Sequence, residues 1–340
     1  MIRIGILGMG GMGWIHATRI AGTANAKLVA IADSDPERLR ADQALTINVF
    51  GRPEPLDLSD VMRYSSASQL IAEAPVDAIH VCLPTHWHAQ FTIEALEHGL
   101  HVLCEKPMAL TVGDADQMIE GARGSGRVLM IAQCVRFWPE YCFLRDCIAD
   151  GRYGRLISLN MRRLGQRPEG DAKNWFLDPE CSGGMILDLH IHDVDFVHHV
   201  LGRPDSIHAT DRAYPGSGAP DVIHAEFLYQ GGPQVHLHAG WSAVHIPFDA
   251  GYDAWFERAF VRLDTKLDPS LRVYDRSGND AWAPTEYVQG DAYANEISYF
   301  VQCIVGGMSP SECSPQSTRD SLALVFREID SARTGERLED

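Results

Sequence analysis

The sequence predicts an α/β protein of two domains: an N-terminal doubly wound parallel sheet of the Rossmann type, then an α+β domain built on a mostly antiparallel open sheet. Three observations predict it. Short apolar runs alternate with helical patterns over residues 1–130, a glycine cluster sits where the first run meets the first helix, and after about residue 135 long segments alternate with period two. A length of 340 residues also suits two domains at roughly 100–200 residues each. The boundary is expected near residue 130, giving domains of residues 1–130 and 131–340.

The elements follow in order. Ile2–Leu7, Lys27–Ala32, Asp77–Leu83, His101–Cys104 and Val128–Ile131 read as strands, with helical patterns at 11–21, 35–44, 87–98 and 112–123. Continuous apolar strands separated by helices imply a parallel sheet covered on both faces and joined by right-handed crossovers. A helix is expected over Pro139–Ala149. In Arg155–Leu164, Ile157, Leu159 and Met161 face one way and Ser158, Asn160 and Arg162 the other. Val222–Tyr229 and Gln234–Ala243 flank Gln230-Gly231-Gly232-Pro233, a hairpin signal. Residues 291–333 return to helix, broken around Pro310 and Pro315.

Composition removes several function classes. With 45% hydrophobic and 22% charged residues the chain is neither disordered nor a coiled coil. A net charge of −17 repels a polyphosphate backbone, and no basic patch offsets it, so nucleic acid is not expected as a partner. No run approaches the roughly 20 apolar residues that span a bilayer, and Met1–Leu7 turns into glycines too early for a signal peptide, so neither a membrane nor export is expected. None of the eight cysteines form a Cys-x-x-Cys, and several lie in apolar runs, which suits buried thiols in a reducing cytoplasm.

The first strand runs directly into Gly8-Met9-Gly10-Gly11-Met12-Gly13, and Asp33 ends the next strand. In a Gly-x-Gly-x-x-Gly turn between strand and helix, the first glycine permits the turn, the second lets backbone approach a pyrophosphate, and the third lets helix and strand pack closely. The helix-start N–H groups then face the anion. Asp33 can accept from both ribose hydroxyls and repels a 2′-phosphate, favouring NAD over NADP. Arg38 and Arg40 on the following segment keep NADP open, and Asp33 has the alternative role of capping the helix over 35–44.

Further motifs lie downstream: Leu83-Pro84-Thr85-His86-Trp87-His88 ending a strand, Glu105-Lys106-Pro107 after the next, and Ser182-Gly183-Gly184 leading through Asp188, His190 and His192 to Asp195. With the glycine turn, and in this order, they resemble the glucose-fructose oxidoreductase and inositol dehydrogenase family (Gfo/Idh/MocA) over nearly the whole chain. The resemblance implies that Leu83, Pro84, Thr85, His88 and Glu105 lie along the cofactor, that Lys106 stands beside the substrate, and that the helix bearing Asp188 and His192 completes the site. It also implies a homodimer or homotetramer through the open sheet face. His190 departs from the pattern, since the family commonly has a small residue there.

The residues support the same chemistry. Oxidising a secondary alcohol with a nicotinamide needs a base at the hydroxyl and charge around the developing alkoxide. Asp188 and His192 are four apart on an expected helix, which places both on one face, continued by Asp195 and His199. His192 is assigned as general base, Lys106 as the ammonium that polarises the oxygen and relays its proton, and Asp188 as the orienting carboxylate; His192 and Lys106 could exchange the base role. In a helix His190 and His192 point roughly 160° apart and cannot chelate one ion, so no metal is expected. Arg136 and Trp175 are substrate candidates, a guanidinium for hydroxyls and an indole for a sugar ring, with interdomain pairing and packing as their alternatives. The expected reaction is hydride transfer on a sugar, inositol or related polyol. The alternatives are elimination or glycoside cleavage with the cofactor recycled in place, or a silent nucleotide-bound sensor.

Overall fold

The computed structural model describes residues 1–40, 56–169, 174–276 and 290–339. The chain divides into two compact units, Met1–Phe137 with Asp291–Arg319, and Trp138–Gly290 with Asp320–Asp340.

The first unit carries the expected doubly wound sheet. Strands β1 (Ile2–Leu7), β2 (Ala26–Ala32), β3 (Met62–Tyr64), β4 (Ala78–Val81), β5 (His101–Glu105) and β6 (Leu129–Ala132) lie in the order β3-β2-β1-β4-β5-β6. All are parallel. Helices α1 (Gly11–Ala21), α2 (Ala67–Glu73), α3 (His88–Glu97) and α4 (Val112–Ser125) connect them. Helix α2 and strand β3 had no strong pattern in the sequence: β3 is three residues long and largely exposed. The helix expected over 35–44 is a 3₁₀ turn at Pro36–Leu39, capped by the Asp35 carboxylate, and 41–44 lie outside the described residues.

One difference from the sequence reading is that Asp291–Arg319, placed there in the second domain, joins the first unit. The cause is hydrophobic. Ile297, Phe300, Val301 and Cys313 are buried in one core with Ile4, Ile6, Trp14, Ile31, Leu103 and Met130, so the returning helix removes apolar surface that the sheet layer would otherwise leave wet.

The second unit holds α5 (Pro139–Asp150) and an eight-stranded sheet of β7 (Leu156–Gln166), β8 (Ser206–Arg212), β9 (Val222–Leu228), β10 (Gln234–Ser242), β11 (Asp249–Phe256), β12 (Ala259–Asp264), β13 (Leu271–Asp275) and β14 (Leu338–Glu339). The order is β13-β12-β11-β7-β10-β9-β8-β14, and the pairing is antiparallel except between β7 and β10. The expected hairpin joins β9 to β10. Alternation puts Leu159 and Met161 on the buried face and Ser158, Asn160 and Arg162 on the other, which also carries Asp253, Trp255, Phe260, Arg262 and Tyr274. Short α6 (Pro179–Ser182) leads to a π turn at Ile186–His190 and then α7 (Ile191–Leu201). After α8 (Ala292–Gly306), the last helix is α9 (Pro315–Thr334), whose residues from 320 onward belong to this unit.

Candidate active site

In the first unit the strand order reverses between β1 and β4, and open parallel sheets bind ligands in the crevice at such a switch point, beyond the strands' carboxyl ends. Gly8, Asp33, Leu83 and Lys106 lie just past the carboxyl ends of β1, β2, β4 and β5. Gly8 follows β1 with φ 88°, and a Cβ on it would stand 2.5 Å from the Cys82 carbonyl oxygen beyond β4. A Cβ on Gly13 would lie 2.0 Å from the Gly8 carbonyl oxygen, so α1 packs on the turn at a distance only glycine permits. Gly10 differs: the nearest atom to its missing Cβ is Arg38 Nη1 at 4.0 Å. That space is the room a diphosphate needs to approach the backbone.

The start of α1 fits the same group. It has no side-chain cap and no acidic residue in its first turn, so neither offsets the N–H groups and dipole at Gly11, Met12 and Gly13. Asp33, 8% exposed, accepts from Met9 N–H at 2.8 Å and from Asp35 N–H at 2.9 Å, with Arg38 Nη1 3.8 Å away. These residues fit a nicotinamide dinucleotide: the glycine turn and helix start for the diphosphate, Asp33 for the ribose.

The loop after β4 is braced from inside. His88 is buried, with Nδ1 2.8 Å from the Pro107 carbonyl oxygen and Nε2 2.8 Å from that of Leu83. It thus ties the Leu83-Pro84-Thr85 loop to the Lys106-Pro107 loop. Burial draws His88 below the usual imidazole range, opposed by the two carbonyls and by Glu105. Glu105 faces the interior: one oxygen lies 2.9 Å from His16 Nε2, and the other accepts Lys106 N–H at 3.2 Å. His16 Nδ1 in turn meets His80 Nδ1 at 3.0 Å. If Glu105 accepts Nε2–H of His16 and His80 donates Nδ1–H, the chain closes with only His80 Nε2 unpaired, an unmet acceptor rather than a stranded charge. Sequence reasoning missed His16 and His80; a histidine on the apolar face of the fingerprint helix was the available signal. Across residues 102–109 every residue is buried except Lys106.

Arg136 is 1% exposed and donates to the Glu312 carbonyl at 2.8 Å and to the Ser317 hydroxyl at 3.1 Å, all within the first unit. These bonds brace the segment after β6 and direct the guanidinium inward, unlike the substrate contact expected from sequence.

In the second unit Asp188 and His192 share a helical segment, but its first turn is π: the Ile191 N–H bonds to the Ile186 carbonyl. A π turn holds one more residue than an α turn, so the simple four-residue alignment expected from sequence is rotated between Asp188 and His192. Burial nevertheless singles out the pair. From 184 to 197 every residue is buried except Asp188 and His192. His192 lies between two buried polar pairs. On one side Asp193 Oδ1 accepts from Arg163 of β7 at 2.7 and 3.1 Å, and Arg163 also donates to the Tyr141 hydroxyl at 3.0 Å. On the other, His190 Nε2 lies 3.1 Å from both Glu328 oxygens. Arg163, Asp193 and Glu328 were not singled out from sequence, although Glu328 falls seven residues after Ser321 on the buried stripe of α9. Trp175 is half-buried and stacks on Phe176 with centroids 3.9 Å apart. Among the described residues no group of three His, Cys, Asp or Glu is arranged to hold a metal ion.

Comparison with known proteins agrees with this architecture. Residues 2–133 match the model of an oxidoreductase family with an NAD-binding Rossmann fold, and residues 141–257 match the GFO/IDH/MocA C-terminal domain. The chain is 28% identical to inositol 2-dehydrogenase of Rhizobium meliloti, over 95% of this chain and 94% of that one. It is 38% identical to 1,5-anhydro-D-fructose reductase of Ensifer adhaerens, over 81% of this chain and 83% of that one. Its fold superposes on the aldose-aldose oxidoreductase of Caulobacter crescentus with a TM-score of 0.84 at 22% identity, covering 100% of this chain and 99% of that one. With an uncapped glycine turn at the sheet's switch point and both family models matched in order, the chain belongs to the GFO/IDH/MocA family of NAD-binding oxidoreductases.

Proposed function

We propose that this protein transfers a hydride between NAD(H) and the carbon of a secondary hydroxyl or carbonyl on a sugar, inositol or related polyol. The observation that carries the reading is selective exposure: Lys106, Asp188 and His192 are half-buried where every residue around them is buried. A polar side chain left partly open within a buried stretch of chain can meet a ligand. The names of the relatives, an inositol dehydrogenase and an anhydrofructose reductase, support the substrate class.

A nicotinamide held by the glycine turn and Asp33 would supply the acceptor or donor for the hydride of the carbinol carbon. His192 takes the hydroxyl proton as hydride leaves. The Lys106 ammonium stabilises the developing alkoxide, and its backbone is held by Glu105. Asp188 orients the imidazole. Asp33 selects NAD through the ribose hydroxyls. Arg136 is left out of this assignment because it is buried against its own unit, and Trp175 is kept as a substrate wall.

The test is reduced-nicotinamide absorbance over a panel of sugars, inositols and their ketones. Turnover is expected with at least one, and Lys106→Ala and His192→Ala should each lower kcat roughly 10²–10⁴-fold. Product formed without net change in nicotinamide would point instead to the elimination or cleavage reading. The polar and aromatic face of the second unit's sheet, where Trp255 is 52% exposed, supports self-association into a dimer or tetramer, to be checked by light scattering. Eight cysteines outside any disulfide, six of them buried, support a reducing, cytoplasmic setting, and no described helix is long and apolar enough to cross a membrane.

A further inference from the structure

From residue 320 onward the buried face of α9 is polar at three places, and each is committed to a different element. Ser321 Oγ lies 2.9 Å from His198 Nδ1 on α7, Glu328 meets His190 at the end of the π turn, and Ser331 Oγ accepts Ala209 N–H of β8 at 2.9 Å. Ser321, Glu328 and Ser331 are each 0% exposed. Spaced seven and three apart, they lie along one stripe of the helix. Glu328 has the most exclusive attachment: among the described residues both its oxygens bond to His190 alone, and His190 Nδ1 has no partner. The two side chains, both 0% exposed, satisfy each other and nothing else. Removing one strands the other in a dry interior.

This pair sits at a defined mechanical point. His190 is the last residue of the π turn, Asp188 lies within that turn, and His192 is the second residue of the α-helix that follows. A π turn is an uncommon geometry that persists where surrounding contacts favour it over a regular α turn. Because the whole turn carries one extra residue, worth roughly 100° of rotation, its relaxation to α would rotate Asp188 relative to His192 by part of that step. We infer that Glu328 is a positioning residue: through His190 it holds the Ile186–His190 segment in its π turn and thereby sets the relation between Asp188 and His192. The Arg163–Asp193 pair fixes the downstream side, so His192 is held between two buried clamps. This inference rests on the proposed roles of Asp188 and His192.

The experiment compares Glu328→Gln, Glu328→Ala and the double variant H190L/E328M by two readouts. One is steady-state kinetics with the best substrate of the panel. The other is the carbethoxylation rate of His192 by diethyl pyrocarbonate, mapped by mass spectrometry, which needs no turnover. Glu328→Ala is expected to lower kcat at least tenfold with KM changed less than threefold, and to change the His192 labelling rate at least threefold. Glu328→Gln, which keeps an acceptor for His190, should recover part of both. H190L/E328M, with the polar pair replaced by apolar bulk, should recover the melting temperature without recovering kcat or the labelling rate. Wild-type kcat and labelling in folded Glu328→Ala overturn the inference, as does full recovery of both in H190L/E328M, which would make the pair mere packing. If the wild-type protein turns over nothing while His192 labelling responds to Glu328, the positioning stands and the hydride-transfer reading falls.

Discussion

Asp33 Oδ2 accepts the Met9 backbone N–H at 2.8 Å, so the carboxylate ending β2 holds the glycine turn ending β1 from within. The same group is the one assigned to the ribose, and Arg38 Nη1 stands 3.8 Å from it. Replacing Asp33 therefore has two consequences. Asp33→Ser removes the charge that repels a 2′-phosphate and leaves Arg38 available to it, so the ratio of kcat/KM for NADP to that for NAD should rise at least tenfold. Asp33→Ser combined with Arg38→Ala should lose that gain. An unchanged ratio in the single variant would remove Asp33 from cofactor selection.

Gly10 and Gly13 belong to one motif but serve different ends. Gly13→Ala forces a Cβ to within 2.0 Å of the Gly8 carbonyl oxygen, a backbone clash with no side chain to yield. It should cost roughly 4 kcal/mol or more, or prevent folding. Gly10→Ala meets no protein atom nearer than 4.0 Å and should melt within a degree or two of wild type. It should nevertheless bind NAD at least tenfold more weakly in a fluorescence titration, because the methyl occupies the diphosphate's place. Intact binding by Gly10→Ala would show that the open space is not the cofactor's.

Much of this was readable in sequence, for physical reasons that also mark where reading stopped. The fingerprint turn, the parallel strands and the β9–β10 hairpin are local: apolar periodicity and glycine chemistry determine them within a few residues. Lys106, Asp188 and His192 could be proposed from sequence because each sits in a motif. Asp291–Arg319 was misplaced because the attachment of Ile297 and Phe300 to the core of β1 and β4 is a contact across nearly the whole chain, invisible to any local pattern. The π turn was missed for a related reason. Nothing in Ile186–His190 requires it; the contacts of His190 with Glu328, 138 positions away, favour it. For Arg136 the sequence left two roles open, because a guanidinium offers the same donors to a carbonyl of its own chain, such as that of Glu312, as to a sugar.

Arg163 and Asp193 form the other clamp on α7, each about 2% exposed at the side chain. Arg163→Met leaves a buried carboxylate without its cation and takes a donor from the Tyr141 hydroxyl. Breaking such a pair from one side costs about 3–5 kcal/mol. The melting temperature should fall on the order of 10 °C. The double variant R163M/D193L removes both charges and should recover most of that loss. If the single and double variants melt together, the pair is not what fixes α7 to β7.

Stability should also carry a pH signature from the first unit's interior. Burial, reinforced by the Glu105 carboxylate, pushes Glu296 well above the usual carboxylate range, and neither of its oxygens has a hydrogen-bond partner among the described residues. Burial, reinforced by His16, pushes His80 well below the usual imidazole range. Above about pH 4.5 the unfolded chain releases the Glu296 proton that the folded chain keeps, so the unfolded state binds fewer protons and stability falls as pH rises. Below about pH 6.5 the unfolded chain protonates His80 while the folded chain resists, so stability falls as pH drops. Each contribution changes by at most about 1.4 kcal/mol per pH unit. Glu296→Gln removes the first and leaves the second. Its melting temperature should match wild type near pH 4.5 and exceed it increasingly toward pH 8, while both proteins weaken together on the acid side. A constant difference between the two across that range would mean that Glu296 is already ionised in the folded protein.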